Sequence, residues 1–340
     1  MVGKVSGTRI DSEDELVRTF LAPLAAGFPG ALGLKDDCAA FAPTPGSELV
    51  LKTDPVVAGV HFFADDDPAD IAWKALAVNV SDLAAKGAAP RIYLMSLSLP
   101  EAPEREWMAR FAEGLGAAQR AFGIHLAGGD TDRTPGHLSM AITVIGEVPA
   151  GRMVRRAAAQ AGDVLYVSGT LGDSALGLAL KLDGGLAARL GLSADEAAYA
   201  IGRYLRPQPR VALAEALRLH ARAAMDLSDG LMKDLGRMCR ASAVGAIVRT
   251  ADLPLSPVMR RALIAEPARI RDAVAAGDDY EILAAVAPST CAGFEAAAQQ
   301  AGVAVTRIGE VTSGPDVRVL DAEGVTLAPG RSGWDHFQPR

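Results

Sequence analysis

Aspartates recur along this chain in short polar turns that have apolar residues beside them. The turns are Lys35-Asp36-Asp37, Thr53-Asp54, Ser81-Asp82, Gly128-Gly129-Asp130, Asp226-Leu227-Ser228-Asp229-Gly230 and Gly277-Asp278-Asp279. A carboxylate next to hydrophobic sequence is unfavourable unless a cation meets it, and converging aspartates most often meet Mg²⁺. The pattern predicts an enzyme that binds phosphates through several metal ions.

Three of these turns lie in the first 90 residues. Asp36-Asp37 stands before an apolar segment that we predict as a strand, and metal binding is favoured over an exposed turn because the residues that follow are apolar. Thr53-Asp54 follows a strand and offers a hydroxyl and a carboxylate to a hard octahedral ion, although the pair alone is weak support. Asp82 lies on the apolar side of a helix, where either a metal or an i,i+4 ion pair with Lys86 would account for it.

The other polar segments also leave alternatives open. Gly128-Gly129-Asp130-Thr131 suits either a loop that approaches a phosphate or a plain turn. Asp226 to Gly230 enters a helix whose free N–H groups attract phosphate, and helix capping accounts for only one of its three polar side chains. His61 is isolated on an extended run, where a hydrogen-bonded core histidine is the default interpretation.

Composition excludes several classes of protein. The 340 residues are 50% hydrophobic and 22% charged, which predicts a soluble chain with two domains. The net charge of −7 and the lack of a basic stripe argue against nucleic acid as a partner. Cys38, Cys239 and Cys291 are too widely spaced for a zinc ribbon and are expected to be buried. With a polar N-terminus and no run of 18 apolar residues, we expect no membrane segment and a cytoplasmic location.

Known phosphate motifs are missing from the sequence. No Gly-x-x-x-x-Gly-Lys-[Ser/Thr] loop and no His-Arg-Asp loop occur, so the P-loop and protein-kinase designs do not apply. The loop Gly169 to Asp173 has no dinucleotide-binding spacing and is expected to pack between a strand and a helix.

Alternating strands and helices must position these residues. Strands are predicted at 49–52, Val56–Phe63, Arg91–Leu99, Ile124–Ala127, Leu138–Val148, Val164–Ser168, Ala223–Asp226, Ala243–Val248, Tyr280–Val286, Val303–Ile308 and Val317–Leu320. Helices are predicted over Pro68–Gly87, Glu104–Phe122 and Gly230–Ser242. One more ends at about Leu182 after the loop Gly169–Ser174, another follows Pro209, and residues 184–195 are predicted as a surface connection. The expected fold class is α/β with mixed sheets, in an N-terminal domain (1–150) and a C-terminal domain (151–340).

Taken together, the segments resemble the thiamine-monophosphate kinase family of the aminoimidazole-ribotide-synthetase-like ATP-binding superfamily. The resemblance extends from about Asp11 to Phe337. It is carried by 33–37, 52–62, 73–88, 128–131, 167–174, 225–230 and 277–281.

The resemblance implies transfer of the ATP γ-phosphoryl group to thiamine monophosphate, with several Mg²⁺ ions. It implies an N-terminal domain that pairs in a homodimer and a C-terminal domain that completes the active site. The metal ligands carried over are Asp37, Thr53, Asp54, Asp82, Asp130, Asp226 and Asp229. The implied ATP contacts are Gly129, Asp130, Arg156 and Ser228, and the implied thiamine monophosphate contacts are His61, Asp278 and Trp334.

The sequence departs from the family pattern at three positions. Lys35 replaces a glycine before the aspartate pair, Lys52 stands where a hydroxyl residue often helps to hold a metal, and Asp278 replaces a glutamate. The acceptor phosphate is already anionic near neutral pH, so we assign no general base and expect direct in-line attack. The alternatives are an aminoimidazole-ribotide-synthetase-like ATP-dependent ligase and a catalytically silent protein that binds nucleotide or thiamine phosphate.

Overall fold

The computed structural model describes residues 9–327 and residue 333. Its contacts divide the chain into two compact units. Of the described residues, 9–83 and 89–151 form the first unit, and 84–88 and 152–327 with 333 form the second. No helix within the described residues is both long and apolar enough to cross a membrane.

The first unit is built on a four-stranded sheet with the order β1-β4-β2-β3. Its strands are β1 (Ser47–Val57), β2 (Ala89–Leu99), β3 (His125–Arg133) and β4 (Ser139–Pro149). Strands β2 and β3 pair in parallel, and the other pairs are antiparallel. The helices are α1 (Glu13–Leu16), α2 (Ala22–Ala25), α3 (Pro68–Ala85) and α4 (Arg105–Phe122), with a π-helix at Val17–Leu21 and a 3₁₀ segment at Pro29–Leu34.

Helix α3 forms where the sequence places helix signals and apolar residues together. Asp67 accepts a hydrogen bond from the Ala69 N–H at 2.8 Å, and Pro68 is compatible with the first turn, where its missing N–H is not needed. Ala72, Leu76 and other apolar residues of the helix are fully buried. Lys74, Asn79 and Ser81 are buried as well, so burial of α3 is not confined to one apolar face.

The second unit contains a six-stranded sheet with the order β10-β7-β9-β5-β8-β6. Its strands are β5 (Val164–Ser168), β6 (Ala221–Asp226), β7 (Gly245–Arg249), β8 (Ile282–Val286), β9 (Val305–Thr312) and β10 (Val317–Leu320). Its helices are α5 (Asp173–Leu182), α6 (Leu186–Arg189), α7 (Ala194–Leu205), α8 (Ala214–His220), α9 (Leu231–Ser242), α10 (Pro257–Ala265), α11 (Ile270–Ala275) and α12 (Cys291–Gln300). Short 3₁₀ segments lie at Val211–Leu213, Thr250–Asp252, Pro267–Arg269 and Pro288–Thr290.

Strand β8 lies inside this sheet, and all five of its residues are buried. Only the β7–β10 pair is parallel. The mixed α/β class predicted from the sequence is therefore confirmed.

Several predicted elements were wrong. No strand follows Asp37, and Cys38 is exposed rather than buried. The expected strand Val56–Phe63 is cut short, because β1 ends at Val57 and a turn follows. The predicted surface connection at 184–195 contains α6, and its leucines pack in the core of the second unit.

Candidate active-site residues

The two clearest metal candidates of the first unit, Asp54 and Asp82, meet at one ammonium group. Lys52 Nζ lies 3.1 Å from Asp54 Oδ1 and 2.9 Å from Asp82 Oδ2. Lys52 and Asp54 share a face of β1 because side chains two residues apart in a strand point the same way. Asp82 comes from α3 and pairs with Lys52 rather than with Lys86, whose Nζ donates to the Ala224 carbonyl at 2.7 Å.

Lys52 is charged at neutral pH. Partial burial acts to lower the pKa of its ammonium, but the two carboxylates, Asp82 before Asp54, outweigh that effect and raise the pKa above its ordinary value. The group is therefore a permanent positive charge between two of the predicted metal ligands.

Asn79 fixes the position of Asp54. Its side chain is fully buried in α3, Oδ1 accepts a hydrogen bond from the Asp54 N–H at 2.8 Å, and Nδ2 donates to the Ala75 carbonyl at 3.0 Å. A buried amide with both ends hydrogen-bonded is held in one orientation. Asn79 thus aligns β1 with the helix that carries Asp82.

The Thr53 side chain lies on the face of β1 opposite to that of Asp54. Its hydroxyl is hydrogen-bonded to that of Thr143 at 3.0 Å, and the two residues are register partners on β1 and β4. Side-chain alternation therefore puts Thr53 on the opposite face from Asp54. The compact hydroxyl and carboxylate pair expected from the sequence is not formed, and a metal-binding role for Thr53 stays a prediction.

Asp130 lies within β3 rather than in a loop after it, because the strand runs to Arg133. Gly129 has φ 152°, and a Cβ there would overlap the Met95 carbonyl oxygen of the neighbouring strand. Glycine is thus required at this position by the close approach of β2. The Asp130 carboxylate is exposed and accepts the Thr131 N–H at 3.0 Å.

His61 and Asp37 lie in turns. His61 Nδ1 accepts a hydrogen bond from the Val57 N–H at 3.0 Å, which fixes that nitrogen as the unprotonated one in the turn after β1. Asp37 is exposed in a bend. Their proposed metal and substrate contacts stay predictions.

The donor chemistry of the first unit suits Mg²⁺. Within the described residues, no three His, Cys, Asp or Glu side chains converge as a ready-made metal cluster. Mg²⁺ does not need one, because it commonly binds one or two carboxylates and completes its octahedron with water and substrate phosphates. Asp54 and Asp82 supply such a pair, and their donors are all oxygen.

In the second unit, the segment Asp226 to Gly230 connects β6 to α9. Asp234, inside α9 and fully buried, accepts the N–H groups of Ser228 at 3.0 Å and Asp229 at 2.9 Å. Burial raises the pKa of Asp234, an effect that the Asp229 N–H and Arg237 partly offset. The N-cap residue of α9 is Gly230, which has no side chain. Ser228 and Asp229 are therefore not the cap of this helix.

Two basic side chains form ion pairs with Asp229. Arg237 lies 2.6 Å and Lys233 3.3 Å from Asp229 Oδ2, and both come from the first two turns of α9. Gly333 lies against the Asp229 carbonyl and the Lys233 side chain. Trp334, the next residue, is outside the described residues.

A buried ionic cluster around Glu281 holds the main chain of the segment Asp226 to Gly230. Glu281 is fully buried and accepts hydrogen bonds from Ser168 Oγ at 2.7 Å, Arg203 at 2.9 Å and Arg210 Nε at 2.7 Å. Its main-chain carbonyl accepts the Leu227 N–H at 2.8 Å. The cluster therefore anchors the backbone between Asp226 and Ser228.

The adjacent turn is strained. Asp278 and Tyr280 have φ of 69° and 50°, values uncommon for residues other than glycine. Asp279 between them is buried, accepts the Gly172 N–H at 3.0 Å, and has its pKa raised well above the ordinary value, chiefly by burial. Such strain persists only where the surroundings hold it, and it is concentrated at functional segments.

Arg156 offers an unsatisfied donor. Its Nε is buried and has no hydrogen-bond partner within the described residues. Its carbonyl accepts from Ser242 Oγ at 3.2 Å, so the main chain at this point is fixed to α9. An arginine held in this way suits contact with an anionic ligand.

Sequence reasoning did not identify Asn79, Asp234 or Glu281 as positioning residues. Asn79 alone carried a signal, because it stands between Val78 and Val80 in a predicted helix, whereas Asp234 and Glu281 follow other polar residues closely. Their partners lie up to 113 positions away, as for Ser168 and Glu281.

Comparison with protein families identifies the class of protein. Residues 35–148 match the N-terminal domain of AIR synthase related protein, and residues 160–322 match its C-terminal domain. The fold is thus that of the AIR synthase related proteins.

Comparison with individual proteins identifies the family more narrowly. Thiamine-monophosphate kinase of Salmonella typhimurium is 42% identical over 90% of this chain and 91% of its own length. The crystal structure of thiamine-monophosphate kinase from Stenotrophomonas maltophilia K279a has a TM-score of 0.78 at 39% identity, covering 86% of this chain and 91% of that one. AaThiL complexed with AMPPCP and TMP has a TM-score of 0.75 at 32% identity, covering 89% and 91%. The chain belongs to the thiamine-monophosphate kinase family.

Proposed function

We propose that this protein transfers the γ-phosphoryl group of ATP to thiamine monophosphate, forming thiamine diphosphate and ADP. Similarity over nearly the whole length to thiamine-monophosphate kinases supports the reaction, as does a solved relative complexed with AMPPCP and TMP. The observation in this chain that carries the proposal is the meeting of Asp54 and Asp82 at one cationic position.

The proposed metal ligands are seven residues that the resemblance carries over. They are Asp37, Thr53, Asp54, Asp82, Asp130, Asp226 and Asp229. Mg²⁺, when bound, supplies positive charge that offsets repulsion between the two phosphorylated substrates. Asn79 and Asp234 keep two of the acidic segments in place through main-chain hydrogen bonds.

The other ligand contacts are also proposals. Gly129, Asp130, Arg156 and Ser228 would contact ATP, and His61, Asp278 and Trp334 would contact thiamine monophosphate. The buried, unpartnered Nε of Arg156 supports an anionic ligand beside it. Asp278 is placed by a strained turn, which supports a defined orientation of its shorter side chain.

We propose direct in-line transfer without a general base. An oxygen of the thiamine monophosphate phosphate forms the new bond to the γ-phosphorus, while the bond from that phosphorus to the bridging oxygen breaks and ADP leaves with the electron pair. The attacking phosphate is largely anionic at neutral pH, so no proton has to be removed. With ATP that is chiral at the γ-phosphorus, one direct transfer would invert the configuration at that phosphorus. Retention of configuration would exclude direct transfer.

A homodimer formed by the N-terminal unit is also proposed. Leu51 and Leu94 are 63% and 38% exposed, and they share the sheet face that carries Thr53 and Thr143. Large apolar residues grouped on a sheet face are typical of an interaction surface. A second copy of the chain is the proposed partner.

One assay tests the reaction. The chain is incubated with ATP, Mg²⁺ and thiamine monophosphate, and thiamine diphosphate and ADP are measured. Bound ATP without product would instead support a silent binding protein. Asp54→Asn and Asp226→Asn should each reduce turnover far more than stability, whereas Asp183→Asn, which alters an exposed ion pair with Arg189, should reduce neither. Full activity in the first two variants would refute the proposed metal ligands.

A further inference from the structure

Lys52 holds together two acidic residues that lie on different elements. Its Nζ is within 3.1 Å of Asp54 on β1 and 2.9 Å of Asp82 on α3. The side chain of Asp82 is 20% exposed and that of Lys52 33%, so water screens this contact less than it screens a surface ion pair. Without the ammonium, two carboxylates of like charge would face each other.

This arrangement has the form of a cation site. A single positive charge contacts one oxygen of each of two carboxylates, as a bridging divalent ion would. The charge belongs to the chain itself and is present whether or not any ion is bound. The three groups together carry a net charge of −1 instead of the −2 that the carboxylates alone would have.

We propose that the Lys52 ammonium is a resident cation that takes one position a divalent ion would otherwise fill between Asp54 and Asp82. The inference rests on the proposed function, which assigns both aspartates to metal binding. A divalent ion in the same space would need the same oxygens at about 2.1 Å and would meet the ammonium directly. This chain therefore binds one divalent ion fewer than a chain with a neutral residue at position 52.

The test counts bound metal and does not depend on catalysis. Mn²⁺ is titrated into the full-length protein, and free Mn²⁺ is measured by electron paramagnetic resonance. Lys52→Met removes the charge at similar length, and Lys52→Ser removes it with a shorter side chain. Both should bind one additional Mn²⁺ per chain, and the first ion should bind on the order of tenfold more tightly because a repelling charge is gone. Lys52→Arg should match the wild type.

A matched control removes a different cation of the same unit. Arg110 is exposed and pairs with Asp67 and Glu113, neither of which is a proposed metal ligand, so Arg110→Met should leave the number of bound ions unchanged. Melting curves with and without Mn²⁺ give a second measurement, in which Lys52→Met should be stabilised by the ion more than the wild type is. Equal Mn²⁺ number and affinity in the wild type and both neutral variants would overturn the inference. If no form of the chain binds Mn²⁺, the proposed metal function fails together with it.

Discussion

Replacing Asn79 with alanine should reduce turnover more than it reduces stability. The substitution removes the Asn79 Oδ1 that accepts a hydrogen bond from the Asp54 N–H at 2.8 Å. Leaving a buried donor without a partner costs about 1–3 kcal/mol, and the lower half applies here because the bond is only partly buried. The free energy of unfolding should therefore fall by about 1–2 kcal/mol.

The effect on turnover has a different origin. Asp54 is held against Lys52 and Asp82 by the position of its own main chain, which Asn79 sets. A displacement of about 1 Å at a positioned catalytic group can reduce rate on the order of 100-fold. We expect kcat to fall by about that factor, with a smaller change in KM for thiamine monophosphate.

Urea unfolding and steady-state kinetics measure the two effects in the same preparation. Val80→Ala is the control, because Val80 is fully buried on the same helix and its truncation removes packing without a hydrogen bond. In a double-mutant cycle, Asn79→Ala should add little to the loss caused by Asp54→Asn if it acts through that residue. Equal kcat in Asn79→Ala and Val80→Ala, or additive losses in the cycle, would refute the positioning role.

Three further predictions concern other parts of the chain. Gly129→Ala should lower the free energy of unfolding by about 2 kcal/mol or more in chemical denaturation, because the new Cβ overlaps the Met95 carbonyl at an unfavourable φ. Burial raises the pKa of the Asp279 carboxyl in the folded protein, so folding favours its neutral form. The stability that this form contributes is complete below the ordinary pKa and is lost as pH rises through the raised pKa. Asp279→Asn should therefore gain stability relative to the wild type in thermal melts between about pH 4 and pH 8, and a constant difference would contradict this. Leu51→Lys should give monomers by light scattering, while Leu182→Lys, at an exposed leucine of the second unit, should not.

Strands and helices with regular apolar patterns could be predicted closely from the sequence. Helix α3 was expected at Pro68–Gly87 and spans Pro68–Ala85, and β5 and β10 match their predicted bounds. Helix α3 is buried along almost its whole length and four of the five residues of β5 are buried, so a long and a short apolar run mark these two elements. These elements needed no knowledge of distant partners.

Strand β3 shows where that approach fails. Its last six residues, Gly128 to Arg133, are polar or glycine, which predicted a turn rather than a strand. The strand lies at the edge of its sheet, so its residues need only one neighbour and tolerate polar side chains. Local composition could not show that β2 would supply the hydrogen bonds.

The acidic residues were found from the sequence, but their partners were not. Asp82 was expected to meet a metal or Lys86, and it meets Lys52, which lies 30 positions earlier on another element. Periodicity places a residue on a face of its own helix or strand and carries no information about which face lies opposite. The meeting of β1 and α3 depends on Asn79, which is hydrogen-bonded to both.

In both units, a basic side chain of the chain itself contacts a predicted metal ligand. Lys52 does so for Asp54 and Asp82, and Arg237 and Lys233 do so for Asp229. Carboxylates gathered for metal binding repel one another before the ions arrive, and that repulsion opposes folding. Resident cations reduce it, yet each also competes with the ions for the same oxygens. On the proposed function, the chain would hold fewer ions in exchange for acidic segments that are ordered before its substrates bind.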